Sequence, residues 1–377
     1  MALVLTVGMA ACSSSKSSTS ATTSAGSATT AGSTATTGGS GTPAGLAAAQ
    51  AAVAKYSVQP TSITDTAKAA GPVPKGLLID FIPCGTNPEC QQEGEIVKQA
   101  DDVLGWKTNI LSNDGSPTQS KAAFDQAVRD KAAGVLYTAI PLSTFQSDVP
   151  ALQANGTVVS ACCVTDPTGT GVDYNIDNPD QVGPVAGTQA AFVASDSKCV
   201  GADSLLVTIP DFAILNNAVT NYKSSMSQYC PTATVDTLDI ALANLSTGTT
   251  TIVSYLRSHP NDKYIAVTTD GLTVGLPQAL KSAGLTTKIV GQGATPTNIQ
   301  YLHSGQEAAD VAFPYYEAMW AMVTAVVQKK SGGTITPSTA PPIWLLTPSN
   351  APNSSAAAFP VVANYQSQYE ALWGMNG

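Results

Sequence analysis

The stretch GLLIDFIPCGTNPECQQEGEIVKQADDVLGWKTNIL, residues 76–111, decides how the rest of the chain is read. Its opening apolar run, 76–82, reads as a buried strand. Residues 93–104 then place Ile96, Val97, Ala100, Val103 and Leu104 on one helical face, and Gly105 follows as a stop. Residues 106–111 return to strand character. Two strands joined through one helix cannot form a hairpin, so the pair is expected to run parallel with the helix laid on the sheet.

The same alternation continues outward. Ser116-Pro117 opens a helix carrying Phe124, Ala127 and Val128 inward, and 134–140 and 157–161 are further apolar strands. A second series follows Asn175. It has helices at 179–194, 213–229, 249–257, 272–283 and 315–330, and strands at 205–209, 235–240, 264–268, 288–292 and 343–347. Residues 365–373 form a closing helical segment. The predicted fold class is α/β, with two doubly wound parallel-sheet lobes.

Upstream of residue 75 the pattern changes. Residues 13–45 are a Ser/Thr/Gly/Ala tract that cannot fill a core, and 45–56 is Ala-rich and helical. The region 13–74 is expected as a flexible tether and lead-in. The apolar run 3–11 ends at Cys12, and Met9-Ala10-Ala11-Cys12 resembles the lipobox of bacterial lipoproteins. That reading makes 1–12 a lipoprotein signal peptide and Cys12 the lipidated residue. The alternative is an ordinary signal peptide with an incidental cysteine. No Lys or Arg precedes the run, so a start upstream of Met1 is expected. A run this short falls below the roughly 20 apolar residues a membrane span needs. The mature protein is expected outside the cytoplasm, anchored to the membrane by lipid.

Composition narrows the function. The 377 residues carry a formal net charge of -9, with charged residues at 11%. No basic cluster exists, which argues against nucleic acid as a partner. Only Arg129 and Arg257 are arginines, so bidentate capture of an anion is disfavoured. His259 and His303 stand alone and lack metal-ligand spacing, and no nucleophile sits near a histidine. Neither a metal, a cofactor nor an enzymatic activity is expected. Besides Cys12, six cysteines remain: Cys84, Cys90, Cys162, Cys163, Cys199 and Cys230. Their even number in an oxidising compartment suggests disulfides. Cys84 with Cys90, and Cys199 with Cys230, are natural pairs. Cys162-Cys163 is either a vicinal disulfide or two separate thiols. Neighbouring Cα atoms sit about 3.8 Å apart, closer than ordinary bridges prefer.

The segment from 75 to 374 resembles the type I periplasmic solute-binding proteins of sugar-type ABC importers. The resemblance rests on Gly76 to Asp80 leading to Asn87-Pro88, on Asn175-Ile-Asp177-Asn178-Pro179, and on Thr269-Asp270-Gly-Leu-Thr-Val-Gly275 with Ala279 to Gly284. It rests also on Ile289-Val290-Gly291 with Thr295-Pro296, and on the ending Tyr365 to Gly374. It implies two lobes joined by three hinge crossings, near Tyr174-Asn175, near Phe313-Pro314, and between Gly333 and Pro342. Residues 75–174 with 314–335 would form one lobe, and 175–313 with 336–377 the other. A monomer is implied that closes on a small ligand and docks on an ABC permease. The same resemblance leaves open a ligand-sensing receptor for a membrane signalling protein.

The expected ligand-binding residues are Asn87, Glu89, Ala139, Cys162, Cys163, Phe212, Asn217, Asp270, Gln292 and Phe313. The pocket departs from the sugar-binding pattern. Cys162-Cys163 stand where those proteins carry an Asp-Arg pair, Asn217 lies near their helix arginine, Gln292 and Gly293 replace an aspartate, and Phe313 replaces a glutamine. Only Asp270 is kept, as a ligand acceptor or as a helix cap. A site so poor in hydrogen-bonding groups suits a small, uncharged and less polar ligand.

Overall fold

The computed structural model describes residues 44–353 and 359–375; Cys12 and the expected signal peptide lie outside them. Two sheets organise the chain. The first has the order β2-β1-β3-β4-β5, from β1 (Leu78–Ile82), β2 (Lys107–Ile110), β3 (Gly134–Thr138), β4 (Val158–Cys162) and β5 (Tyr174–Ile176). All its pairings are parallel. Strands β3, β4 and β5 are buried along their whole length, because helices cover both faces of the sheet.

One face carries α2 (Pro88–Leu104) and α10 (Tyr315–Lys330), around Phe81, Ile96, Leu136, Met319 and Trp320. The other carries α3 (Pro117–Asp130) and α4 (Val149–Ala154), around the stacked rings of Phe124 and Phe145, with Tyr137 set edge-on.

The second sheet has the order β11-β10-β9-β8-β6-β7. Its strands are β6 (Ser204–Thr208), β7 (Val235–Asp239), β8 (Tyr264–Val267), β9 (Lys288–Gly293), β10 (Ala309–Ala312) and β11 (Trp344–Leu346). Helices α5 (Gly183–Ser197) and α6 (Leu215–Tyr229) belong to the core on one face, and α7 (Leu245–Ser258) and α8 (Leu276–Ser282) to the core on the other, while α9 (Pro296–His303) packs through Ile299 and Leu302 in a smaller cluster with Ala312 and Trp344. The edge strand β11 is antiparallel to β10, pairing Asp310 with Leu346. The sheet is otherwise parallel, as expected of these lobes. β11 arrives from α10 in the other lobe rather than through a local crossover helix.

Three connections cross between lobes in the expected places: between β5 and α5, between β10 and α10, and between α10 and β11. The two ends of the chain cross as well, and here the expected boundaries are corrected. Helix α1 (Ala44–Tyr56), assigned to a flexible lead-in, buries Leu46 and Ala49 and joins the core of the second lobe. Its Ala-rich face lets the helix approach closely: a methyl group on Gly45 would come within 2.6 Å of the Tyr229 carbonyl oxygen. After α1 the chain moves to the first lobe, where Ile63, Ala69 and Val73 join its core.

The C-terminal segment was expected on the second lobe. Val361 does pack there, but Val362 and α11 (Tyr365–Leu372) belong to the first lobe. The reason is aromatic packing: Trp320 of α10 stacks on Trp373 at 5.0 Å and meets Tyr365 edge-on. The two terminal segments run together as a strap. Gln59 donates to the Val361 carbonyl at 3.2 Å, Gln368 donates to Thr61 O at 3.0 Å, and Tyr369 donates to Asp65 at 2.7 Å.

Candidate functional site

A cleft of about 890 Å³ opens between the lobes. Residues following β3, β4, β5, β6, β8 and β9 all line it, so it lies at the carboxyl ends of both sheets. Open α/β sheets bind ligands at this end.

On the first lobe three neighbouring strands end in one row. Thr138, Cys162 and Ile176 are paired in register, and the next residue of each strand, Ala139, Cys163 and Asp177, lines the cleft. All three have positive φ, 53°, 66° and 53°. Non-glycine residues in this region cost on the order of 1 kcal/mol each, and such strain collects at binding sites. The turns are held by hydrogen bonds from Ala139 N–H to Cys162 O at 3.1 Å and from Cys163 N–H to Ile176 O at 2.9 Å. A disulfide joins Cys162 to Cys163, with Cα atoms 3.7 Å apart. Cys163 presents this bridge to the cleft. Cys162, expected as a ligand contact, is fully buried in the core behind it and does not line the site.

Helix α2 starts at the cleft. Asn87 is its N-cap, and Asn87 Oδ1 accepts from Cys90 N–H at 2.8 Å, while Pro88 at the first helical position needs no such partner. The Cys84–Cys90 bridge, with Cα atoms 5.3 Å apart, closes the loop ahead of it. Asn87 lines the cleft as expected, with its side-chain oxygen engaged in the cap. Glu89 also lines it and carries no side-chain hydrogen bond. Burial, with the nearby Asp270 carboxyl, pushes Glu89 up to about 7. One turn on, Glu93 accepts from Thr138 Oγ1 at 2.7 Å, and burial pushes it up to about 8. Asp177, buried and without a side-chain hydrogen bond, is pushed up to about 7 by that burial.

On the second lobe Asp270 forms the floor. Asp270 Oδ1 accepts from Gln292 N–H and Oδ2 from Thr295 N–H, both at 2.9 Å. It caps no helix through its side chain, and it lines the cleft. The residue pins the loop after β9 to the end of β8, which leaves it only partly free to meet a ligand. Burial raises it and these amide bonds oppose the rise. Beneath it lie Glu307 and Asp310, with oxygens of all three within 4.8 Å of one another. Gly291 makes room for them: a methyl group there would overlap Glu307 Oε1 and lie 2.8 Å from Asp270 Oδ1 and Asp310 Oδ2. Gln292 lines the cleft, and its buried Oε1 has no hydrogen-bond partner.

The walls are apolar. Phe212 and Phe313 line the cleft as expected, and Phe313 meets Tyr315 edge-on at 4.8 Å. Asn217 does not line it. Helix α6 begins at Leu215, and two residues of helical rotation turn Asn217 aside, so Ile214 and Leu215 face the ligand space instead. The residues sequence reasoning did not place here include Glu93, Glu95, Asp177, Ile209, Ile214, Leu215, Val274 and Tyr316. Glu93 had a readable signal, standing four residues after Glu89 on one helix face. His259 stacks on Tyr255, His303 bonds to the Pro352 carbonyl, and neither lines the cleft. The third disulfide, Cys199–Cys230, joins the turn after α5 to the end of α6, away from the site. Among the described residues no helix is long and apolar enough to cross a membrane.

A family model described as a periplasmic binding protein domain matches residues 81–334. No curated protein matches the chain. Among solved structures it is similar to an ABC transporter solute-binding protein from Burkholderia graminis in complex with D-arabinose. The TM-score is 0.66 at 17% identity, over 75% of this chain and 99% of that one. It is similar also to one from Agrobacterium vitis with bound allitol, with TM-score 0.63 at 18% identity over 73% and 96%. A carbohydrate transporter from Acidothermus cellulolyticus in complex with myo-inositol gives 0.61 at 19% identity over 73% and 96%. At these identities the likeness shows the fold.

Proposed function

The chain belongs to the periplasmic binding protein family, and on that premise we propose that it is an extracytoplasmic solute receptor that captures a small organic molecule in the interlobe cleft and delivers it to an ABC permease. The observation that carries the reading is the cleft of about 890 Å³ at the carboxyl ends of both sheets, lined by side chains from both lobes. Such a cleft couples binding to hinge closure, because contacts to both lobes exist together only in the closed form. The relatives that bind D-arabinose, allitol and myo-inositol support a small solute as cargo. The motif ending in Cys12 supports a lipid anchor holding the receptor at the membrane.

Thermal denaturation of the purified full chain against sugars, polyols, aromatics and amine derivatives tests capture. A solute at one hundred times its Kd adds about 2.7 kcal/mol and a clear rise in Tm. Unchanged melting across all classes would sink the proposal. Incorporation of labelled palmitate by the wild-type chain, lost in Cys12→Ala, tests the anchor.

A further inference from the structure

Resting on the reading that the cleft takes a solute, we infer that the solute is an organic cation, an amine or quaternary ammonium group on an apolar body. Five residues lining the cleft carry carboxyl groups, Glu89, Glu93, Glu95, Asp177 and Asp270, and no Lys, Arg or His lines it. Two of the five are already engaged: Asp270 accepts two backbone amides and Glu93 accepts from Thr138. Asp177 is not. It is 7% exposed, lines the cleft, and its carboxylate has no hydrogen-bond partner. Glu89 is likewise unpartnered. A carboxylate taken from water without a partner is costly, and a cation seated between such groups offsets that cost.

The charges also come from both lobes. Glu89 belongs to the first lobe and Asp270 to the second, and a methyl group on Gly271 would lie 3.7 Å from Glu89 Oε2. Closure therefore brings like charges together, as the rise of Glu89 toward about 7 reflects, with burial as its larger cause and Asp270 as the second. A cation between them turns that repulsion into attraction and binds the closed form better than the open one, which is what a ligand must do to drive closure. The aromatic walls fit the same chemistry, since the faces of Phe212, Phe313, Tyr315 and Tyr316 attract ammonium groups. Ile209, Ile214, Leu215 and Val274 offer apolar surface for the carbon skeleton. This proposal departs from the uncharged ligand expected from sequence. Glu93 and Asp177 come from a helix turn and a lobe crossing that the motifs did not bring together.

The test uses pairs differing in charge and little else, titrated into the full chain by calorimetry: choline and 3,3-dimethyl-1-butanol, tyramine and 4-ethylphenol, D-glucosamine and D-glucose. The charged member of at least one pair binds ten-fold or more tighter than its neutral partner. Glu89→Gln and Asp177→Asn each weaken that binding at least ten-fold and shrink the preference for the charged member over its neutral partner. Should Asp177→Asn fail to fold, Glu89→Gln, at a less buried position, decides alone. Neutral members binding as tightly as charged ones would overturn the cation while leaving solute capture intact. No heat from any of the six would overturn the cation, and capture would then stand or fall by the wider melting screen.

Discussion

At the scale of single residues, the cleft depends on what is missing from Gly291. Three carboxyl groups occupy the space a side chain would take. Gly291→Ala must displace them, and overpacking of this kind costs about 1–3 kcal/mol. We expect a lower urea midpoint and weaker solute binding together, because Asp270 holds the loop carrying Gln292 and Thr295. A variant as stable as wild type would show that the carboxyl cluster relaxes freely. Placement beside the cleft was legible where a short motif sits at a strand end, as for Asp270, Phe212 and Phe313. Asn217 was misplaced because a helix shifted by one or two residues turns a side chain to another face. Asp177 reads in the sequence only as part of the segment that crosses between lobes. Its exposure to the cleft depends on a left-handed turn at φ 53° that nothing in the sequence announces.

At the scale of elements, α2 ties fold to site. Its N-cap Asn87, the Cys84–Cys90 bridge, Glu89 and Glu93 fall within ten consecutive positions, 84–93, in the loop and first turns. Asn87→Ala removes the acceptor for Cys90 N–H and should lower stability by about 1 kcal/mol, read as a shifted urea midpoint. An unchanged midpoint would mean that the Cys84–Cys90 bridge alone fixes the helix start. Most elements were legible because buried parallel strands read as apolar runs and helices show a 3.6-residue stripe. Strand β10 was not, because its four residues include Asp310, buried in the carboxyl cluster. Periodicity also shows which face of an element is buried, not which sheet buries it. Helices α1 and α11 were therefore seen as helical segments and assigned to the wrong company.

At the scale of the whole molecule, buried acids set the response to pH. Burial pushes Glu89, Asp177 and Glu317 up to about 7 and Glu93 and Asp101 up to about 8. The folded chain then holds protons that the unfolded chain releases near pH 4. Groups raised on folding stabilise fully below their unfolded values and lose that contribution as pH climbs through the folded ones. The urea midpoint of the unliganded protein should therefore be higher at pH 5 than at pH 8.5, and the reverse order would contradict the assignment of these shifts. Mass spectrometry under denaturing, non-reducing conditions should find no free thiol among Cys84, Cys90, Cys162, Cys163, Cys199 and Cys230.

The strap formed by the two chain ends bears on where this molecule can be cut. A truncation to 81–334, the stretch the family model spans, discards α1, the run that follows it, β11 and α11. It would leave the indole of Trp320, the Glu317 carboxyl and the α5 surface facing water. Such a fragment should aggregate on expression where the 44–375 piece stays monodisperse by size-exclusion chromatography. The portable unit is thus longer than the family boundary, because its first and last helices complete the cores of the two lobes that flank the cleft.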